Sequence, residues 1–216
     1  MMAMNKLWQM AALLALLMAS CGDTTQKSYW ENGKLKSALN YQDGKLNGLC
    51  QWYYANGNPQ MEATYQDDEK NGHSMRWYDN GHLAEDCWYK HGQLDSTYRT
   101  YSINGQLASE EYFVDGKRNG PSKKWYEDGR LFQDGQYVDD MMDGLWLVFY
   151  PEGELASNAV FDKGAGRQVG YDQSGYKCME VNYLDNVKHG KEIRYNPDGK
   201  VVKVIEYEHG KIVSEE

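Results

Sequence analysis

A glycine returns at a fixed interval along nearly the whole chain. Gly33, Gly57, Gly81, Gly105, Gly129 and Gly153 lie 24 residues apart, Gly175 follows after a step of 22, and Gly199 after 24 more. The residues just before them are Asn32, Asn56, Asn80, Asn104, Asp128, Glu152, Ser174 and Asp198. Four positions before each glycine stands an aromatic: Tyr29, Tyr53, Trp77, Tyr101, Trp125, Phe149, Tyr171 and Tyr195. Eight positions after each stands another: Tyr41, Tyr65, Tyr89, Phe113, Tyr137, Phe161, Tyr183 and Tyr207. Self-similarity held at one period specifies one supersecondary unit repeated and stacked on its neighbours.

Within each unit the spacing predicts two strands. Gly120–Tyr126 reads as an outgoing strand and Arg130–Tyr137 as the returning one. The composition agrees, with 18 Tyr and 7 Trp against 4 Phe, and 22 Gly beside 4 Pro. Such a chain favours strands and tight turns over a Leu/Ile-packed globule. In the returning strands the odd-numbered residues are apolar, as in Met61-Ala63-Tyr65, Leu155-Ala159-Phe161 and Val201-Ile205-Tyr207. The outgoing aromatics Tyr53, Trp77 and Trp125 are odd as well. A two-residue loop would pair odd with even and place the two sets on opposite faces. A three-residue loop with its glycine in the left-handed region, forming a G1 bulge, pairs odd with odd. The expectation is the bulged loop, with Gly33, Gly57, Gly81, Gly105, Gly129, Gly153, Gly175 and Gly199 at positive φ.

Residues 1–20 carry a leader pattern: Lys6 ahead of the apolar run Ala11–Met18, which is too short to span a membrane as a helix. Met18-Ala19-Ser20-Cys21 resembles the bacterial lipobox, in which the cysteine becomes the lipidated N-terminus. The expectation is a lipoprotein anchored at the cell envelope through Cys21, on the periplasmic or surface face, with secretion where the lipobox is not used. Residues 21–28 then read as lipidated cysteine and polar tether, and residues 29–216 as about eight repeats. Removing the leader leaves 22 Lys+Arg against 32 Asp+Glu, a net −10. That balance argues against nucleic acid and suits a basic partner.

The second turn of each unit is Gly44-Lys-Leu-Asn-Gly48, Gly116-Lys-Arg-Asn-Gly120 or Asn186-Val-Lys-His-Gly190. This turn, a strand ending in paired aromatics and then an Asn-Gly-x-Leu turn together resemble the MORN repeat. The chain is similar in particular to variant MORN arrays of bacterial proteins identified as antitoxin components of toxin–antitoxin modules. The third repeat departs, with Ser96 at the second glycine. The fifth and sixth depart at Asp140-Met-Met-Asp143-Gly144 and Asp162-Lys-Gly-Ala-Gly166. The resemblance implies an all-β fold, an elongated single-layer antiparallel meander of tandem hairpins. Some fifteen strands at about 4.8 Å would make a ribbon roughly 70 Å long.

Such a sheet has to hold itself together by cross-strand ladders, the natural role of the odd-numbered aromatics. A second row, Trp30, Tyr54, Tyr78, Tyr126 and Tyr150, is the candidate partner-binding stripe, joined by Trp52, Trp88, Tyr112 and Trp146 and interrupted at Ser102. Of the cysteines, Cys50, Cys87 and Cys178 match no metal spacing, and a single disulfide among them stays open. His91, His189 and His209 precede turn glycines, His82 follows Gly81, and His73 stands alone on a strand. No nucleophile–base set, metal site or cofactor motif is recognisable. The expected function is non-enzymatic: a lipid-anchored scaffold that binds a protein or polymer through its ribbon face. The alternatives are an antitoxin or immunity protein neutralising a basic toxin, and a glycan-binding envelope lipoprotein.

Overall fold

The structure, a computed structural model, describes residues 22–216. The expected leader and lipidated Cys21 therefore lie outside the described residues. The strands are β1 (Thr24–Tyr29), β2 (Leu35–Gln42), β3 (Lys45–Leu46), β4 (Gly48–Tyr53), β5 (Pro59–Gln66), β6 (Glu69–Trp77), β7 (Leu83–Lys90), β8 (Gln93–Tyr101) and β9 (Leu107–Val114). They continue as β10 (Lys117–Trp125), β11 (Leu131–Val138), β12 (Met141–Phe149), β13 (Leu155–Asp162), β14 (Ala165–Tyr171), β15 (Lys177–Leu184), β16 (Val187–Tyr195), β17 (Val201–Glu208) and β18 (Lys211–Glu215). All 18 belong to one antiparallel sheet in which each strand pairs with its neighbours in sequence. β3 and β4 are one strand interrupted at Asn47, both pairing with β2. Among the described residues, packing between strands runs almost entirely between neighbouring rungs, so the sheet is a single layer.

The expected bulged loop closes every repeat. In the first, the Gly33 N–H donates to the Trp30 carbonyl at 2.9 Å and the Trp30 N–H to the Lys34 carbonyl at 2.8 Å. The same two bonds recur in all eight loops through Asn196–Lys200, and the eight glycines have φ between +76° and +106°. The opposite turns are of a second kind. Pairs such as Asp43-Gly44, Asp67-Asp68, His91-Gly92 and Asp185-Asn186 have positive φ at both residues, the signature of a two-residue type I′ hairpin. His91 and His209 are therefore turn residues in their own right.

Two expectations need correction. The tether is shorter than expected, because Thr24–Tyr29 forms β1, paired with β2 from Thr24↔Tyr41 onward. Its polar residues suffice for a strand at the margin of a sheet, and Thr25 Oγ1 bonds Asn40 Oδ1 at 2.6 Å. The second correction concerns parity. Odd pairs with odd only at the closing position, as in Tyr53↔Pro59 and Trp77↔Leu83. One extra residue then shifts the register, and the rest of each hairpin pairs even with odd: Trp52↔Met61, Ser74↔Cys87, Trp146↔Ala159. The odd residues of the returning strands thus share their face with Cys50, Ser74, Ser122, Trp146 and Glu192.

That face holds the buried residues, and its centre is one lateral row. From β4 to β17 the row runs Cys50, Ala63, Ser74, Cys87, Tyr98, Glu111, Ser122, Gly135, Trp146, Ala159, Gln168, Val181, Glu192 and Ile205, paired at each step except Gly135–Trp146, where the register shifts and the indole lies over the glycine. Cys50 and Cys87 are buried free thiols within it, and Cys178 is free as well. Burial pushes both buried thiols up. The Glu192 carboxylate is wholly buried. Burial acts to raise its pKa, but hydrogen bonds from Lys188 (2.6 Å) and Arg194 (2.8 Å) prevail and hold it down.

Beside this row the second glycine of each repeat faces the aromatic of the returning strand: Gly48↔Tyr65, Gly72↔Tyr89, Gly120↔Tyr137, Gly144↔Phe161, Gly166↔Tyr183 and Gly190↔Tyr207. A ring across from a glycine covers backbone that the glycine leaves bare. Cations lie over some of these rings, Arg118 at 3.9 Å from the Tyr137 centroid and Lys70 at 4.6 Å from that of Tyr89. Gly120 has φ +133°, and a Cβ there would sit 3.0 Å from Tyr112 Cβ. This glycine lies in a bulge that puts two extra residues on the outgoing strand. The β13–β14 hairpin alone lacks a register shift, which is why the glycine step there shortens from 24 to 22 residues.

Ser96 takes this glycine slot with φ +81°. A side chain in that region is strained, so Ser96→Gly is expected to stabilise the fold by about 1 kcal/mol in denaturant unfolding. A loss of stability would show that the serine side chain matters more than its backbone. Glu180 gives a pH prediction. Burial opposes its charge, but hydrogen bonds from Lys177, Arg167 and Tyr195 outweigh that and pull its pKa from 4.5 down to about 2. Its contribution is complete above the unfolded value of 4.5 and disappears as pH falls toward 2. Melting temperature between pH 5 and 2 should therefore fall less steeply in Glu180→Gln than in the parent.

Candidate functional site

The five residues of the candidate stripe occupy one structural position, at the bulged-loop ends of the outgoing strands. Each polar end is committed to the next repeat. Trp30 Nε1 donates to the Tyr53 carbonyl at 3.0 Å, Tyr54 to Trp77 at 2.8 Å, Tyr78 to Tyr101 at 2.8 Å, Tyr126 to Phe149 at 2.7 Å and Tyr150 to Tyr171 at 2.8 Å. Where the row lacks an aromatic, the side chain serves its own loop: Ser102 Oγ accepts from Gln106 N, Asp172 from Ser174 N, and Asn196 from Lys200 N. Three of the asparagines before the glycines do both. Asn56 Oδ1 accepts from Asn58 N at 2.8 Å while its Nδ2 donates to the Asp79 carbonyl at 2.6 Å, and Asn32 and Asn80 repeat the pattern.

The other four aromatics of the stripe divide between the faces. Trp52 and Trp146 lie on the face of the central row. Trp88 and Tyr112 lie on the opposite, open face, 49% and 42% exposed. There His73 Nε2 contacts Asp86 Oδ1 at 2.5 Å and its ring stacks on Trp88 at 4.8 Å. Ser74 and Cys87 adjoin this His–Asp pair in sequence but pair with each other on the buried face. Among the described residues no group of three or more His, Cys, Asp or Glu is placed to hold a metal ion.

Trp146 makes the one sharp irregularity of the central row. Its ring lies over Gly135, where a Cβ would fall 2.3–2.5 Å from Cδ2, Cε2 and Cε3. It stands edge-on to Tyr137 (4.9 Å) and Phe161 (6.4 Å), and Phe161 packs on Tyr183 at 5.5 Å. Trp146 is 6% exposed and its Nε1 has no hydrogen-bond partner. Leaving a buried donor unpaired costs about 1–3 kcal/mol. Trp146 also lines a groove of about 330 Å³ with Lys124, Gln133, Met142, Tyr137 and Tyr183 among its walls. Burial pushes the phenols of Tyr137 and Tyr183 up, so both keep their protons at neutral pH. One wall is a closed chain in which Tyr183 donates to Gln168 Oε1 at 2.9 Å and Gln168 Nε2 to Ser157 Oγ at 2.8 Å.

The repeats enter their turns on the far edge through backbone bonds from one unit to the next, such as Gly92 N to Lys70 O at 2.9 Å and Gly116 N to Leu94 O at 2.8 Å. The profile described as MORN repeat variant matches residues 23–43, 46–67, 118–139, 142–163 and 188–209, half of the chain. The chain belongs to the MORN repeat variant family. The profile passes over residues 68–117, where Ser96 breaks the motif, and 164–187, where the bulge is missing, yet the MORN strand order continues through both. A search of curated proteins returns no match. Solved structures that match include the crystal structure of TcdB2-TccC3-Cdc42, at 12% identity and TM-score 0.20 over 86% of this chain and 14% of that one. The chain thus spans a small part of that polypeptide, and a likeness at this level bears on neither fold nor function.

Neither Gly135 nor the groove is legible as a site from the glycine period. The signal lies in two slots that the register pairs: six residues after the turn glycine, where Gly135 replaces Ala63, Cys87 or Ala159, and eleven residues further on, where Trp146 replaces Cys50 or Ser74. Gly135→Ala should therefore destabilise the protein by about 1–3 kcal/mol through overpacking. In a Trp146→Ala background the same change should cost little. A double-mutant cycle measures the coupling, and additive effects would contradict the contact.

Proposed function

We propose that this MORN-repeat chain is a non-enzymatic binding scaffold, anchored at the bacterial envelope through a lipid on Cys21, that presents its ribbon to a protein or polymer partner. What supports the reading is the single-layer sheet itself: no second layer or further domain covers either face among the described residues. The separation of the His73–Asp86 pair from Ser74 and Cys87 by the thickness of the sheet supports a non-enzymatic role. The acidic balance of the chain, −9 overall, favours a basic partner at the open surface, and an immunity protein against a basic toxin is the second form this reading takes.

The shortened tether bears on the anchor. Thr24, where β1 begins, follows Cys21 by three positions, so a lipid on Cys21 would hold the first rung within about 10 Å of the bilayer. Cys21→Ala is expected to move the protein from the detergent phase to the aqueous phase, or to leave it unprocessed. Detergent partitioning and intact-mass measurement check this. Unchanged partitioning with unchanged processing would refute the anchor. Partner capture from envelope extract by the parent chain and a loop-scrambled array then tests the scaffold, which requires that only the intact array captures.

A further inference from the structure

We infer that the groove over Trp146 binds the C-terminal end of a peptide, taking an aliphatic side chain together with its α-carboxylate; this rests on reading the array as a binding scaffold. The groove lies on the face of the central row, within the repeats whose second turns depart from the motif. At about 330 Å³ it is at the small end of ligand pockets. Its apolar floor comes from Trp146, Phe161, Met142 and Val148.

The polar groups of the groove are unevenly used. Three of its acceptors are in use, Gln168 Oε1 by Tyr183, Ser157 Oγ by Gln168, and Asn186 Oδ1 by the Met142 N–H at 2.8 Å, while the Gln133 amide is free as both donor and acceptor among the described residues. Trp146 Nε1 has no partner among the described residues, but the atom is itself sealed from solvent, so the donors a ligand meets first are those of the rim. Lys124 and Gln133, a cross-strand pair at the rim, are engaged in no ion pair or hydrogen bond among the described residues. No carboxylate lines the groove, in a chain with 32 acidic residues.

A site with spare donors, one cation and no anion takes an acceptor, and preferentially a charged one. The apolar floor asks for a hydrocarbon body on the same ligand. A peptide end carries both on adjacent atoms. Lys124 disfavours a basic side chain in the groove, although the net charge of −9 favours basic partners for the chain as a whole.

The test uses the full mature chain with ¹⁵N-labelled indoles, the Trp146 resonance being assigned by its loss in Trp146→Phe. N-acetyl-leucine should shift that resonance in a saturable way, and N-acetyl-leucinamide should bind roughly tenfold or more weakly. Lys124→Gln, a rim change outside the packed floor, should remove the preference for the acid. Equal binding of acid and amide, no saturable shift, or tighter binding of glucuronate than of N-acetyl-leucine would each overturn the peptide-end assignment. Envelope partner capture that persists unchanged in Lys124→Gln and Trp146→Phe would overturn the groove while leaving the scaffold standing. Loss of capture in the scrambled array alone would speak to the scaffold.

Discussion

With no second layer, everything that holds this molecule together runs sideways. An ordinary sheet buries one face against helices or another sheet. Here, among the described residues, each rung packs mainly on the next, and cohesion has to be supplied across the strands. Four kinds of lateral tie do so in register: the backbone ladder, the glycine–aromatic pairs, the buried central row, and the aromatic hydroxyls and turn amides that reach into the following repeat. Each is weak alone. Their value comes from recurrence, because a tie that works once in a repeat array works at every step.

This lateral economy explains why so much of the fold was legible. The glycine period gives the hairpins, and the positive-φ requirement gives the loop type, since Gly33 and its seven equivalents sit where a three-residue loop needs them. What misled was the assumption that one loop fixes the parity of the whole hairpin. The extra residue at Pro59–Gln60 and its equivalents reverses it, and no side chain there announces a bulge. Tyr54 and Tyr78, which look in sequence like an exposed stripe, join one repeat to the next through their hydroxyls. Their amphipathic rings suit either role, and only the position of the next carbonyl decides. The start of β1 is hidden for a simpler reason: Thr24–Lys27 is polar enough for a linker, and its strand character depends on β2 being there to pair with.

The groove was hidden for the opposite cause. It arises where the array stops being regular, and a period highlights what is shared. Gly135 and Trp146 are individually unremarkable, a small and a large residue eleven positions apart. Only the register that lays one over the other turns them into a compensated pair with an unsatisfied donor. Local rules broken without an evident structural gain tend to mark functional places, and among the described residues the buried polar side-chain atoms left without a partner are Trp146 Nε1 and Ser122 Oγ, both in the central row.

Asn186 has a consequence of a mechanical kind. Nearly all ties in the array span a single repeat, but this side chain donates to the Asp140 carbonyl and accepts from Met142 N, while its backbone N–H bonds Gly164 O. Three successive turns are thus clamped by one residue, at the hairpin that lacks its bulge. Under tension a chain of nearest-neighbour units unzips one at a time, each rupture independent of the last. The clamp fuses turns three deep into a single element, giving the ribbon a stiff segment beside the Trp146 groove and compliant arms on either side.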